Sequence, residues 1–262
     1  MGSRKVSLAV YVGYLVALLA SGALLTQVFG DLDDDDLAAN SDNFLDGVVI
    51  PIGTMAVLVA AAATARGWWR PALFEKRRTP NWMLTVPIVF FAGIAVAIAT
   101  ADFDEFDGGL IPLRLLGFAF VGFSEELVTR GLILVGFRSQ LRELYVWLFS
   151  TLMFAGMHSL NALGGQDVQT TITQVFSTFF TGSVLYLSRH TTGTLIVAMV
   201  AHTLFDFAVT LQQGPGSDVN DTAGGPNIML AFILGAGIIV HRHLSGRPEE
   251  PSDQSGPAAA TR

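Results

Sequence analysis

The sequence predicts an all-α, polytopic membrane protein with about eight transmembrane helices. Of its 262 residues, 51% are hydrophobic and only 14% are charged, whereas a soluble domain of this size carries about 25% charged residues. The apolar residues fall into runs of about 18–25 residues, which is the length that a helix needs to cross a bilayer. Eight runs can be placed, at 6–29, 45–66, 82–100, 110–137, 143–161, 171–188, 193–211 and 228–241, of which 110–137 is slightly longer than this length and 228–241 is shorter.

Four regions follow from this pattern. We expect N-terminal transmembrane helices in residues 1–105 and a core carrying the ionisable residues in 106–212. An external loop and the last transmembrane helix should occupy 213–244. The tail at 245–262 has the composition of a disordered cytoplasmic segment. The first apolar run is too long for a signal peptide and lacks a small-residue cleavage site, so we expect it to be retained.

The distribution of basic residues predicts the orientation of the chain. Thirteen of the 15 Lys and Arg residues lie on one set of helix ends and alternate loops, and the other two are Arg114 and Arg130. The positive-inside rule then places both termini in the cytoplasm, which requires an even number of crossings. The opposite loops are acidic, as in 102–107, and indicate either a halophilic source or ordinary solvated loops. The chain has no cysteine, which excludes disulfides and thiolate chemistry.

Ionisable residues inside apolar runs are functional-site candidates, because placing a charge in the hydrocarbon is unfavourable. The first cluster is EELVTR at 125–130. Glu126 and Arg130 are spaced i, i+4 and can pair on one helix face. Glu125 is turned about 100° away, so its carboxylate is available for proton transfer. A buried ion network that only fixes helix packing is the alternative.

Two further motifs lie on later helices. His158 follows Phe154 by four residues, and His202 shares a helix face with Asp206. At 1.5 Å per residue, Glu125, His158, His202 and Asp206 lie about 18, 22, 13 and 20 Å from the predicted cytoplasmic ends of their helices. We therefore expect one shared polar site near the middle of the bilayer. The first three apolar runs carry no ionisable residue at depth, so we expect the chemistry within residues 110–211.

The residue types leave two kinds of chemistry open. A zinc site made by Glu125, His158 and His202 is conceivable by ligand type, but no sequence spacing supports it, and we expect neither a metal nor another cofactor. The alternative is a water molecule activated by Glu125 as general base. His158 would orient this water, and His202 with Asp206 would face the developing oxyanion.

The order of these motifs resembles the CPBP membrane-protease family, which groups type II CAAX prenyl endopeptidases with bacteriocin-processing and Abi proteins. The resemblance covers 110–211 and rests on EExxxR, FxxxH and HxxxD on successive helices. It implies a metal-independent glutamate endopeptidase, although the family is also described as metalloprotease-like. Carried over by position, Glu125, His158, His202 and Asp206 are catalytic, and Glu126 and Arg130 are supporting residues.

Two positions depart from the family pattern. Asp206 stands where the eukaryotic enzymes carry asparagine. The asparagine amide can donate a hydrogen bond to an oxyanion, whereas an ionised aspartate has no hydrogen to donate. Asp206 is therefore either protonated or orients His202, and prokaryotic relatives admit aspartate here. Thr129 stands where many relatives carry an aromatic residue.

We expect an intramembrane endopeptidase of prokaryotic type in the cell membrane. Its partners would be membrane lipids and a peptide or lipidated protein substrate, with no nucleic acid. A non-catalytic scaffold or immunity-type protein that retains the site is the main alternative, and a proton-coupled transporter is a third, because intramembrane Glu, Asp and His also build proton relays.

Overall fold

The protein is described by a computed structural model over residues 4–29, 40–76, 79–214 and 237. These residues form a bundle of α-helices with short π- and 3-10 segments. The α-helices are α1 Arg4–Phe29, α2 Ser41–Arg66, α3 Trp69–Leu73, α4 Thr85–Ala99, α5 Leu110–Glu126, α6 Ile133–Phe137, α7 Glu143–Met157, α8 Val168–Thr192 and α9 Leu195–Gln213. The π-segments are Leu45–Val49, within α2, and Leu127–Leu132, and the 3-10 segments are Asn81–Leu84, Phe103–Glu105 and His158–Gly164.

The predicted fold class, an all-α membrane protein, is confirmed. Within the described residues, five helical segments are long and apolar enough to cross a membrane: Arg4–Gly22, Ser41–Arg66, Asn81–Ala99, Glu143–Gly164 and Leu195–Gln213. The predicted runs 110–137 and 171–188 are also helical. The first, however, contains four ionisable residues, and the second is rich in Thr and Ser. The eighth run, 228–241, lies outside the described residues except for position 237, so the count of eight stays a prediction.

The bundle is built around α5 and α9, which pack closely together. α2 packs against α5, α4 against α9, α8 against α7, and α1 against α6. Apolar side chains such as Val57, Ile88 and Phe176 point outward and are more than 60% exposed. Such a surface is costly in water and is the one that a lipid-facing helix presents.

One predicted helix ends earlier than expected. The run 143–161 was predicted as a single helix, but α7 ends at Met157 and the chain tightens into a 3-10 segment from His158. A 3-10 turn is a common ending for an α-helix, because it satisfies the last carbonyl groups with shorter-range bonds. His158 therefore lies at the junction of the two segments.

A short connection between α2 and α4 folds back onto the bundle. It contains the short helix α3. After it, Phe74 forms an antiparallel bridge with Thr194, and the Glu75 amide donates to the Gly193 carbonyl at 2.9 Å. Gly193, with φ of 79°, ends α8 in the left-handed conformation that favours glycine. The connection is thereby tied to the junction of α8 and α9.

Glu75 is the centre of a partly buried ion cluster, which we call the Glu75 cluster. Its carboxylate accepts hydrogen bonds from Arg138, from Arg189 Nε at 2.7 Å and from His190 Nδ1 at 3.1 Å. Burial alone would raise the pKa of Glu75, but Arg138 and Arg189 hold the pKa well below its ordinary value. Glu143 completes the cluster by accepting from Arg138 at 2.8 Å.

Candidate active site

The first ionisable cluster lies where α5 changes into a π-helix. α5 ends at Glu126, and the π-segment Leu127–Leu132 follows directly and leads into α6. Single π-turns inside α-helices are rare and are found mostly at functional sites. The carbonyl of Arg130, inside this segment, accepts a hydrogen bond from Arg189. The Glu75 cluster and the π-segment are therefore connected through one side chain.

Glu126 and Arg130 form the i, i+4 pair that their spacing predicts. Arg130 Nη1 donates to Glu126 Oε1 at 2.6 Å, and both side chains are fully buried. The same nitrogen lies 3.0 Å from Thr129 Oγ1, and the Thr129 hydroxyl donates to the Glu125 carbonyl at 2.6 Å. Thr129, the position that departs from the family pattern, thus supports the arginine and the backbone of Glu125.

His202 lies among three carboxylates. Its Nδ1 is 3.2 Å from Glu126 Oε1, and its Nε2 is 3.2 Å from Asp206 Oδ2 and 3.9 Å from Glu125 Oε2. A neutral imidazole has one N–H and can donate to one of these groups, whereas an imidazolium donates from both nitrogens. The ring is therefore oriented from both sides by acidic groups.

His158 presents one ring nitrogen to its own helix. Nδ1 lies 2.9 Å from the carbonyl oxygen of Phe154. A carbonyl oxygen can only accept, so Nδ1 carries the proton and a neutral ring keeps Nε2 as a hydrogen-bond acceptor. This tautomer suits a histidine that orients a water molecule.

Phe154 joins the two histidines and the arginine. Its ring contacts His158 and His202 edge to face, with centroid distances of 5.1 and 5.6 Å. The Arg130 guanidinium lies over the ring face at 3.7 Å, a cation–π geometry. Sequence reasoning placed Phe154 in the motif only as a spacing partner of His158. The spacing gave no sign of the contacts with Arg130 and His202.

Two glycines allow the helices to approach at the site. A Cβ atom on Gly122 would lie 2.8 Å from the carbonyl of Met199, so α5 and α9 can pack this closely only around glycine. A Cβ on Gly182 of α8 would lie 2.5 Å from Arg130 Nη2 and 2.8 Å from Phe154 Cδ1. Small residues at helix contacts allow such close packing in membranes.

Several buried polar atoms of the cluster have no hydrogen-bond partner within the described residues. They are Glu125 Oε2, Glu126 Oε2, Arg130 Nε and Arg130 Nη2. Most buried polar groups in proteins are paired, so a group of this kind needs an explanation. Binding of a polar guest, such as water or a peptide group, would satisfy them.

The structure thus brings Glu125, Glu126, Arg130, His202 and Asp206 into one cluster, and His158 joins it through the Phe154 ring. In the part of the chain that the structure describes, no three His, Asp or Glu side chains are placed to hold one metal ion. The expectation of no cofactor stays a prediction, as do the catalytic roles.

Comparison with known proteins identifies the family of this region. No curated protein matches the chain, and no solved structure matches it. A family model described as type II CAAX prenyl endopeptidase Rce1-like matches residues 107–208, which is less than half of the chain but includes α5 to α8 and most of α9. All six predicted site residues lie inside the matched region. Residues 107–208 are therefore similar to the Rce1-like family of membrane proteases.

Proposed function

We propose that this protein is an intramembrane endopeptidase that hydrolyses a peptide bond with a water molecule activated by Glu125. The observation that carries the proposal is the unequal pairing of two adjacent carboxylates. Glu126 Oε1 is held by Arg130 at 2.6 Å and by His202 Nδ1 at 3.2 Å, whereas the Glu125 carboxylate lies 3.9 Å from His202 Nε2, beyond hydrogen-bond distance. Glu125 is therefore the carboxylate with capacity to take a proton.

The proposed reaction begins with the attacking water. Glu125 takes one proton from it, and His158 Nε2 orients the molecule by accepting its second hydrogen. The water oxygen bonds to the carbonyl carbon of the substrate, and the electron pair of the C=O bond moves to its oxygen. The carbon–nitrogen bond then breaks, and Glu125 returns its proton to the leaving amine.

His202 is proposed to stabilise the charge that develops on the substrate oxygen. As an imidazolium, His202 would donate from Nδ1 to Glu126 and keep an Nε2–H, which Asp206 orients and which the substrate oxygen would share. A donor held in place before the reaction stabilises an oxyanion without reorganising. Asp206 is proposed to orient His202, and Arg130 to neutralise Glu126.

The proposed substrate is a membrane-associated peptide or lipidated protein. The matched family is named for prenyl endopeptidases that act on CAAX motifs, and a site inside a helical bundle favours a substrate delivered from the bilayer. A farnesylated peptide that ends in a CAAX motif is therefore the first probe. Release of its last three residues is the expected reaction.

The proposal is tested with the Glu125→Gln variant, which keeps the size of the side chain but removes the base. In liposomes, the variant should cleave the farnesylated peptide about 10²- to 10⁴-fold more slowly than the wild type. Mass spectrometry of the products measures the rate, and thermal unfolding in detergent shows whether the variant is folded.

A second arm needs no assumed substrate. Protein termini in membranes from cells with wild-type protein are compared with those from cells with Glu125→Gln. New termini that depend on Glu125 would identify natural substrates. Equal rates on the peptide together with identical termini would contradict proteolysis and favour the scaffold alternative.

A further inference from the structure

The first helix carries a polar stripe that faces the candidate active site. Ser7, Tyr11 and Tyr14 are spaced i, i+4, i+7, so they lie on one face of α1. All three are buried, whereas Val12 and Val16 on other faces are more than half exposed. α1 lies wholly outside the region that matches the family model. From the sequence we placed the chemistry within residues 110–211 and assigned no role to this helix.

Each residue of the stripe contacts a helical segment within residues 107–208. The Ser7 hydroxyl donates to the Leu132 carbonyl at 2.8 Å, and the Tyr11 hydroxyl donates to the Met153 carbonyl at 2.7 Å. A Cβ on Gly136 would lie 2.8 Å from Ser7 Cβ, so the glycine allows the two helices to touch. These two bonds fix α1 against the π-segment Leu127–Leu132 and α7, and Tyr14 follows one turn later on α1.

Tyr14 differs from the other two because its hydroxyl is poorly satisfied. Its oxygen lies 3.5 Å from Ser124 Oγ, well beyond the ordinary O–H···O distance of about 2.7–2.8 Å. Ser124 precedes Glu125, and its own hydroxyl donates to the Val121 carbonyl at 3.3 Å. A loosely held donor thus lies beside the residue that precedes Glu125, whose buried Oε2 has no hydrogen-bond partner within the described part of the chain.

We propose that Tyr14 is a positioning residue for Glu125 and that α1 thereby completes the active site of this protein. The hydroxyl of tyrosine can rotate about its C–O bond without moving the ring. In the substrate complex it directs its hydrogen toward the Glu125 carboxylate and holds that group against the attacking water. The inference rests on the proposed function, in which Glu125 is the base.

The test compares Tyr14→Phe with wild type on the farnesylated CAAX peptide in liposomes. Phenylalanine keeps the buried ring and removes only the hydroxyl. We expect kcat to fall about tenfold or more, since hydrogen bonds to charged groups contribute at least that much. KM should not change, because Tyr14 does not touch the substrate.

A matched control and a double variant separate positioning from packing. Ser7→Ala removes an α1 hydroxyl that contacts Leu132 rather than the Glu125 region, and it should keep the wild-type kcat even if thermal stability falls. In a Glu125→Gln background, Tyr14→Phe should have no further effect on the residual rate, because its role is exerted through Glu125.

Each result has a distinct meaning. A wild-type kcat for folded Tyr14→Phe, or an equal loss of rate in both backgrounds, overturns the role of Tyr14 and leaves the proposed function standing. If wild type and Glu125→Gln process the peptide equally and also give identical protein termini in membranes, the proposed function fails, and the inference fails with it. A loss of kcat in Tyr14→Phe alone, with unchanged KM and normal unfolding, supports both.

Discussion

Asp206 lies with one carboxylate oxygen 3.2 Å from Nε2 of His202, one helical turn away on α9. This contact favours one of the two roles that the sequence left open, in which the aspartate orients the histidine. An oxyanion donor at this position would need an N–H or O–H group facing the substrate. We therefore expect the rate of cleavage to depend more on the negative charge of Asp206 than on the shape of its side chain.

Replacing Asp206 by asparagine separates these two roles. Asp206→Asn keeps the shape but removes the charge that orients His202, and we expect kcat to fall by about 10²-fold or more. Steady-state kinetics on the farnesylated peptide measures the change, with thermal unfolding as the control for folding. Retained or increased activity would show instead that position 206 donates to the oxyanion.

At the scale of residues, the sequence predicted the charged members of the candidate site but not the neutral side chains that contact them. Glu125, Glu126, Arg130, His158, His202 and Asp206 could be selected because an ionisable residue is conspicuous in an apolar run. Phe154 and Tyr14 are ordinary residues of apolar helices. Their part in the site depends on which helices are neighbours, and a spacing within one helix does not contain that information.

At the scale of the helices, α8 packs against Arg130 and Phe154 at Gly182. Replacing this residue by alanine would place a methyl group 2.5 Å from Arg130 Nη2, so the guanidinium or the Phe154 ring must move. We expect Gly182→Ala to lower stability by about 1–3 kcal/mol. We also expect the rate to fall by about 10²-fold, because small displacements of catalytic groups are this damaging. Thermal unfolding and peptide cleavage measure the two effects.

Gly156 provides the matched control for this substitution. It lies in α7, and a Cβ atom there meets nothing within 4 Å. Gly156→Ala should leave cleavage unchanged and stabilise the helix by about 0.5–1 kcal/mol. Equal damage from both substitutions would contradict a special role for the close contact between α8 and Arg130.

The positions of the helices could be predicted well, and their irregularities could not. Apolar runs predicted the long helices to within a few residues, because the length of a bilayer crossing limits the choice. The residue types of the π-segment Leu127–Leu132 do not distinguish it from the α-helices on either side, so the sequence did not predict it. The Glu75 cluster was also missed, since Glu75, Arg138, Glu143 and Arg189 are far apart in the chain and each resembles an ordinary charge at a helix end.

For the molecule as a whole, the orientation in the membrane is still a prediction from its basic residues. The absence of cysteine from the sequence makes a direct test simple. Asp104 and Arg142 are both exposed in connections that are predicted to face opposite sides. On intact cells, a membrane-impermeant maleimide should label Asp104→Cys but should label Arg142→Cys only after permeabilisation. The reverse labelling pattern would show that the chain is inserted the other way.

The bounds of the core could be placed from the sequence, but the packing of α1 against it could not. The family model begins at 107 and ends at 208, whereas we placed the core at 106–212 from hydropathy and motifs. The structure adds that α1, more than 100 residues earlier, packs against this region. Docking of a distant helix depends on three-dimensional complementarity, which hydropathy does not encode.

The long-range bonds of α1 have a consequence for the nascent protein. The hydroxyls of Ser7 and Tyr11 bond to carbonyls 125 and 142 residues later, while His202 emerges from the ribosome later still. The first helix can pack against α2 early, but its two hydroxyls cannot reach these carbonyl partners until the chain has been made beyond residue 153. Under the proposed mechanism, a nascent chain that has not yet reached His202 lacks part of the site and is expected to be inactive.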